Sequence, residues 1–175
     1  MKRVILLSVI LFFTLGCKAQ KDWEKSRDSL AFVSRTKADW VLNHFKDVKS
    51  PKLLYTLSDL DYYVLIIDEK GMYKEYYVTT DQQDEKTKVI SLKCSRKRNA
   101  KISQLKPFDF SKYHLEFITN ISDEKYAHGK PSYFVVKDEH GNRFGEYYLP
   151  FVTLPLPIDT NLFWYFVKRL VKQIK

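Results

Sequence analysis

The sequence predicts an α+β fold, a twisted antiparallel sheet of about five to seven strands with N- and C-terminal helices packed on one face. Three observations carry that expectation. Apolar residues recur at helical spacing near both ends of the chain, short aromatic and β-branched runs fill its middle, and two of those runs lead into an Asp-x-x-Gly turn. Composition agrees with a packed core, since 45% apolar and 15% aromatic residues lie far from the signature of disorder. The 175 residues have room for one core, and the expected division is a leader at 1–16, a short linker at 17–21 and a single domain at 22–175.

In chain order the first element is helical. From Asp22 to Asp47 the spacing of Trp23, Leu30, Val33, Trp40, Val41 and Phe45 predicts one long amphipathic helix or two short ones. Ser50-Pro51 closes it, because the residue before a proline is pushed out of helical backbone geometry. Tyr62 to Ile67, the turn Asp68-Glu69-Lys70-Gly71 and Met72 to Thr80 then read as a hairpin, which Asp opens by bonding backbone N–H groups and Gly closes in the left-handed region. The same grammar returns at Tyr133 to Gly141, and Glu146-Tyr147-Tyr148-Leu149 echoes Glu75-Tyr76-Tyr77-Val78 with one residue of slippage. Two hairpins sharing a favourable turn account for this, and a duplication is the other reading. Between them Lys88 to Cys94 alternates, with Ile90, Leu92 and Cys94 inward, and Tyr113 to Ile121 alternates as a strand with one wet face. Pro155 and Pro157 keep 151–158 extended, and Asp159-Thr160 caps a final helix to Ile174 whose last turns carry Lys168, Arg169, Lys172 and Lys175.

The start of the chain has its own pattern. Lys2 and Arg3 precede the apolar run Val4 to Leu15, which as a helix would rise only about 18 Å, short of a bilayer core of about 30 Å. A positive start and a short apolar stretch are the marks of a signal peptide. The run ends in Thr14-Leu15-Gly16-Cys17, and over these first seventeen residues the chain resembles bacterial lipoprotein precursors. That resemblance implies cleavage before Cys17, lipidation of Cys17 and a membrane as partner; it implies nothing about the domain. The alternative is an ordinary cut before Gln20, which would leave a soluble periplasmic or secreted protein.

Charge fits a membrane neighbour. The chain carries +9, and losing Lys2 and Arg3 from its 30 basic residues leaves 28 against 21 acidic, or +7. Such a balance favours anionic partners, and for an exported chain an anionic lipid or an envelope protein is expected and nucleic acid is not. With Cys17 acylated or removed, Cys94 is the last thiol, so no internal disulfide braces the domain.

Three constellations are candidates for chemistry. His114-x-Glu116 puts a base and a carboxylate on one strand face, although two polar residues on a wet face give the same pattern. Cys94 is a candidate nucleophile with His44, His114, His128 or His140 as base, its thiol favoured by neighbouring Arg96, Lys97 and Arg98 and disfavoured by an inward strand phase. Lys93, Arg96, Lys97, Arg98 and Lys101 gather five cations in nine residues, in an expected loop suited to an anionic surface. The run Leu162 to Val167 is apolar around its whole circumference, as for a helix buried at its start or lying in an interface. No histidine or cysteine spacing predicts a metal, the acidic stretch Asp81 to Glu85 lacks the spaced ligands of a calcium loop, and no phosphate-cradling motif predicts a cofactor. The expected function is non-enzymatic binding by a membrane-anchored envelope protein, with Tyr62, Tyr63, Tyr73, Tyr76, Tyr77, Tyr147 and Tyr148 as contact area. The alternatives are a small envelope hydrolase using His114 and Glu116 or Cys94, and a carrier of a hydrophobic ligand held between sheet and closing helix.

Overall fold

The computed structural model describes residues 29–58, 60–80, 87–113, 118–119, 132–149 and 158–174. Helix α1 (residues 29–43) precedes β1 (Lys52–Thr56), the hairpin of β2 (Asp61–Ile67) and β3 (Tyr73–Thr80), and strand β4 (Thr87–Leu92). Helix α2 (Arg96–Leu105) and a 3-10 turn (Phe110–Lys112) lead to β5 (Ile118–Thr119), the hairpin of β6 (Ser132–Lys137) and β7 (Arg143–Leu149), and α3 (Thr160–Val171). The strands form one sheet in the order β4-β3-β2-β1-β6-β7-β5, antiparallel throughout except where the short β5 joins β7 in parallel. The α+β class and the strand count match the sequence prediction.

Both hairpins form as their turns dictate. Asp68 Oδ1 accepts from the N–H groups of Lys70 and Met72 at 3.0 and 2.8 Å, and Gly71 takes φ +74°. Asp138 Oδ1 accepts from His140 and Asn142 at 2.9 and 2.8 Å, and Gly141 takes φ +88°. A bulge beside Val136 and Lys137 absorbs the one-residue slippage, so Val135 faces Glu146 just as Leu65 faces Glu75. The central strand β1 pairs with one hairpin on each side, placing Tyr55 opposite both Tyr63 and Phe134.

The terminal helices cover opposite faces, not the single face expected. On one face α3 packs Leu162, Phe163, Phe166 and Leu170 over Tyr55, Tyr63 and Phe134, with Phe163 and Phe166 ring centroids 5.7 and 5.4 Å from Tyr55 and Tyr63. On the other, α1 packs Ala31, Ala38, Val41 and Leu42, and the turn after it Phe45, over Leu54, Tyr62, Val64 and Tyr133. The reason lies in β1, β2 and β6, where buried residues follow one another without alternation, so these strands need cover on both sides.

Further expectations change with the packing. Val41 of α1 and Phe45 in the turn after it are buried as predicted, but Leu30, Val33 and Trp40 are exposed, because the sheet-facing stripe is built on the small residues Ala31, Ser34 and Ala38. Five of the seven tyrosines assigned to contact area, Tyr62, Tyr63, Tyr77, Tyr147 and Tyr148, are buried in the two cores. The basic loop is a helix: Ser95 Oγ accepts from Arg98 N at 3.3 Å to open α2, and Lys106 in the left-handed region closes it. Of the strand expected from Tyr113 to Ile121, Ile118–Thr119 pairs in the sheet and 114–117 and 120–121 lie outside the described residues; Tyr113 itself ends the 3-10 turn and donates its hydroxyl to Pro107 O at 2.5 Å. The closing helix starts as predicted, with Asp159 Oδ1 accepting from Leu162 N at 2.9 Å.

Candidate functional site

Helices α2 and α3 lie side by side over the same sheet face and leave a groove of about 810 Å³ between them. Lys97, Arg98 and Lys101 of α2 and Lys168, Arg169 and Lys172 from the end of α3 line it together with Trp164 and Tyr165, and among the described residues no carboxylate does. Helical geometry makes the convergence. On α3 the residues 164, 168 and 172 follow at i, i+4 and i+8, opposite the buried stripe of Leu162, Phe163, Phe166 and Leu170. On α2 the buried Ile102 and Asn99 fix the rotation and leave Lys97 and Lys101 outward. Two separate sequence features, the basic run and the apolar closing helix, thus meet in one place.

Beneath the groove sits Glu75 of β3, with no exposed surface. Its pairing with Leu65 turns it toward α3, where Tyr63 and Tyr165 donate hydroxyls at 2.9 and 2.8 Å and Arg169 donates through Nε and Nη2 at 2.8 and 3.1 Å. Arg98 adds a looser ion pair at 3.7 Å. Burial, reinforced by the Glu75 charge, pushes the Tyr63 and Tyr165 phenols above their ordinary range. Burial opposes the Arg169 charge, but its bonds to Glu75 outweigh that and raise its pKa. Both arginines are therefore turned to an internal carboxylate. Among the described residues Lys97, Lys101, Lys168 and Lys172 have no ion-pair partner.

Cys94, just past the end of β4, lies half-buried beside Glu75 and against the α3-side core, the side its alternation with Ile90 and Leu92 predicts. Burial and then the Glu75 charge raise its thiol pKa, outweighing the opposing pull of Arg98, while Asn99 Nδ2 donates to the sulfur at 3.1 Å. Basic neighbours would lower the pKa of an exposed thiol, but the inward placement of Cys94 lets burial prevail. Of the proposed bases, His44 stands in the turn after α1, across the sheet, and His140 in the β6–β7 turn; His114, Glu116 and His128 lie outside the described residues, as does Cys17. Within the basic run Lys97, Arg98 and Lys101 line the groove, whereas Lys93 and Arg96 do not, Lys93 serving through its carbonyl as an acceptor for Arg98. Nothing local in the sequence places Trp164, Lys168 and Lys172 beside that run; their four-residue spacing is the signal that they share one helix stripe.

A counterpart of the Glu75 cluster lies on the other face. Glu146 takes two bonds of 2.7 Å from Arg35 of α1 and the hydroxyl of Tyr133, and Asp39 beside it pairs with Lys137 and Arg143 at 2.7 and 2.5 Å. Each terminal helix is thereby tied to the sheet by an arginine on a strand glutamate. Among the described residues no group of three His, Cys, Asp or Glu gathers to hold a metal, and no helix is long and apolar enough to cross a membrane. Set against protein-family models, curated proteins and solved structures, the chain matches none of them.

Proposed function

We propose that the chain is an exported, lipid-anchored protein of the bacterial cell envelope that works by binding, with its α2–α3 groove as the site for an anionic partner. The observation that carries this reading is the groove itself, six cations around Trp164 with no carboxylate among the described residues, on a chain whose first seventeen residues resemble a lipoprotein leader. Exported behind a lipidated Cys17, such a groove would face the anionic surfaces of the envelope. A hydrolase centred on Cys94 draws no support from the thiol's surroundings, since a thiol held neutral is a poor nucleophile. A carrier fits no better, because rings of α3 pack directly against rings of the sheet where the ligand would sit.

The test is the intact mass and membrane partition of the precursor expressed in a Gram-negative host, for the wild type and Cys17→Ser. The wild type is expected to gain a lipid mass at Cys17 and to fractionate with membranes, and the variant to do neither. If both are cut before Gln20 and stay soluble, the anchored reading is wrong.

A further inference from the structure

We infer that the α2–α3 groove is a membrane-docking face, seating the domain on an anionic phospholipid surface with Trp164 in the headgroup layer. The inference rests on the anchored reading above and adds to it the direction in which the domain faces.

Charge complementarity comes first. Arg98 and Arg169, the two side chains able to grip a single anion with a planar fork, are held by Glu75, so the outward charge resides in Lys97, Lys101, Lys168 and Lys172. Lysines spread over two helices are hydrated point charges, better matched to a diffuse anionic plane than to one enclosed ligand. The apolar pattern is the second argument. Trp164 is 46% exposed and Val171 49%, on the same outer stripe of α3 as Lys168 and Lys172. An exposed tryptophan and valine interleaved with lysines is the arrangement by which a helix settles at a lipid–water boundary, the ring among headgroups and the lysine stems snorkelling past it. Reach is the third. From Cys17 to residue 29 an extended chain spans at most about 40 Å. A helix–sheet–helix sandwich is about 30 Å thick, so an anchor attached on the α1 side still lets the opposite face meet the bilayer.

The experiment uses the full lipidated chain with Trp23→Phe and Trp40→Phe, leaving Trp164 as the sole reporter, on vesicles of phosphatidylcholine with or without phosphatidylglycerol. In phosphatidylglycerol vesicles the Trp164 emission is expected to shift blue and to be quenched by a brominated lipid; in phosphatidylcholine alone, or in molar salt, it is expected to remain accessible to an aqueous quencher. Lys97→Glu with Lys101→Glu, and separately Lys168→Glu with Lys172→Glu, should each lower the docked-to-undocked ratio at least about 25-fold, from roughly fivefold per lysine lost. Two pairs on different helices, each checked for an unchanged melting temperature, separate docking from misfolding. Retention on phosphatidylcholine vesicles by the wild type but not by Cys17→Ser reads the anchor alone. A chain that is retained there while Trp164 stays water-accessible on phosphatidylglycerol overturns the docking face and leaves the anchored reading standing. Protection of Trp164 by soluble polyglutamate and not by phosphatidylglycerol vesicles also overturns it, assigning the groove to an acidic protein.

Discussion

Glu75 shows how a single side chain links the core to the groove. It has no exposed surface, yet its two oxygens engage Tyr63, Tyr165 and Arg169, and those bonds set where Tyr165 and Arg169 stand in the groove wall. Removing its charge leaves Arg169, only 13% exposed at its side chain, without a counter-ion. Glu75→Gln is therefore expected to cost about 3 kcal/mol in urea unfolding, the scale for breaking a buried pair from one side. A loss under about 0.5 kcal/mol would mean that Arg169 simply swings into solvent, as at an exposed pair. Sequence gave little warning of this cluster, because its members stand at 63, 75, 165 and 169 and only the fold joins them. Cys94 teaches the same point from the other side: its sequence neighbours are cationic, but burial first and then Glu75 decide its thiol.

At the level of elements, the two hairpins were the most legible feature of the chain. Their Asp and Gly positions encode the turn locally, and the observed bonds and positive φ values follow from them. A Cβ added at Gly71 or Gly141 would touch nothing within 4 Å, so an alanine there meets only the intrinsic cost of left-handed backbone. Gly71→Ala and Gly141→Ala are each expected to lower unfolding stability by about 1 kcal/mol, equally for both hairpins. A neutral result at either site would show that its turn relaxes to another geometry. Helix α2 was harder to foresee. Its sequence Arg96–Leu105 has Ile102 as the one large side chain buried without exposed surface, and its first turn stacks cations at the positive end of the helix dipole. Ser95 and Ile102 outweigh that cost, and Arg98 relieves part of it by reaching Glu75 and the Lys93 carbonyl.

Across the whole molecule, the cores on both sheet faces hold phenols away from water, and this sets a pH limit. Burial raises the pKa of Tyr55, Tyr63, Tyr113, Tyr133 and Tyr165 above the ordinary value of 10.0. The unfolded chain ionises these groups near that value while the folded chain keeps them neutral. Their contribution is thus complete below pH 10 and falls as pH rises above it. In an alkaline titration their phenolate absorbance is expected to appear together with the loss of circular dichroism; a smooth rise in a chain that stays folded would contradict the packing. The sequence by itself determined the α+β class, the hairpin turns, the capped closing helix and the inward phase of Cys94, because each depends on residues within a few positions of one another. Only the tertiary structure decided that the helices take opposite faces, that Leu30, Val33 and Trp40 point outward, and that the basic run meets Trp164, Lys168 and Lys172 across a groove. Those outcomes depend on which side of β1 each hairpin joins and on how small residues let a helix approach the sheet, and neither is written in local periodicity.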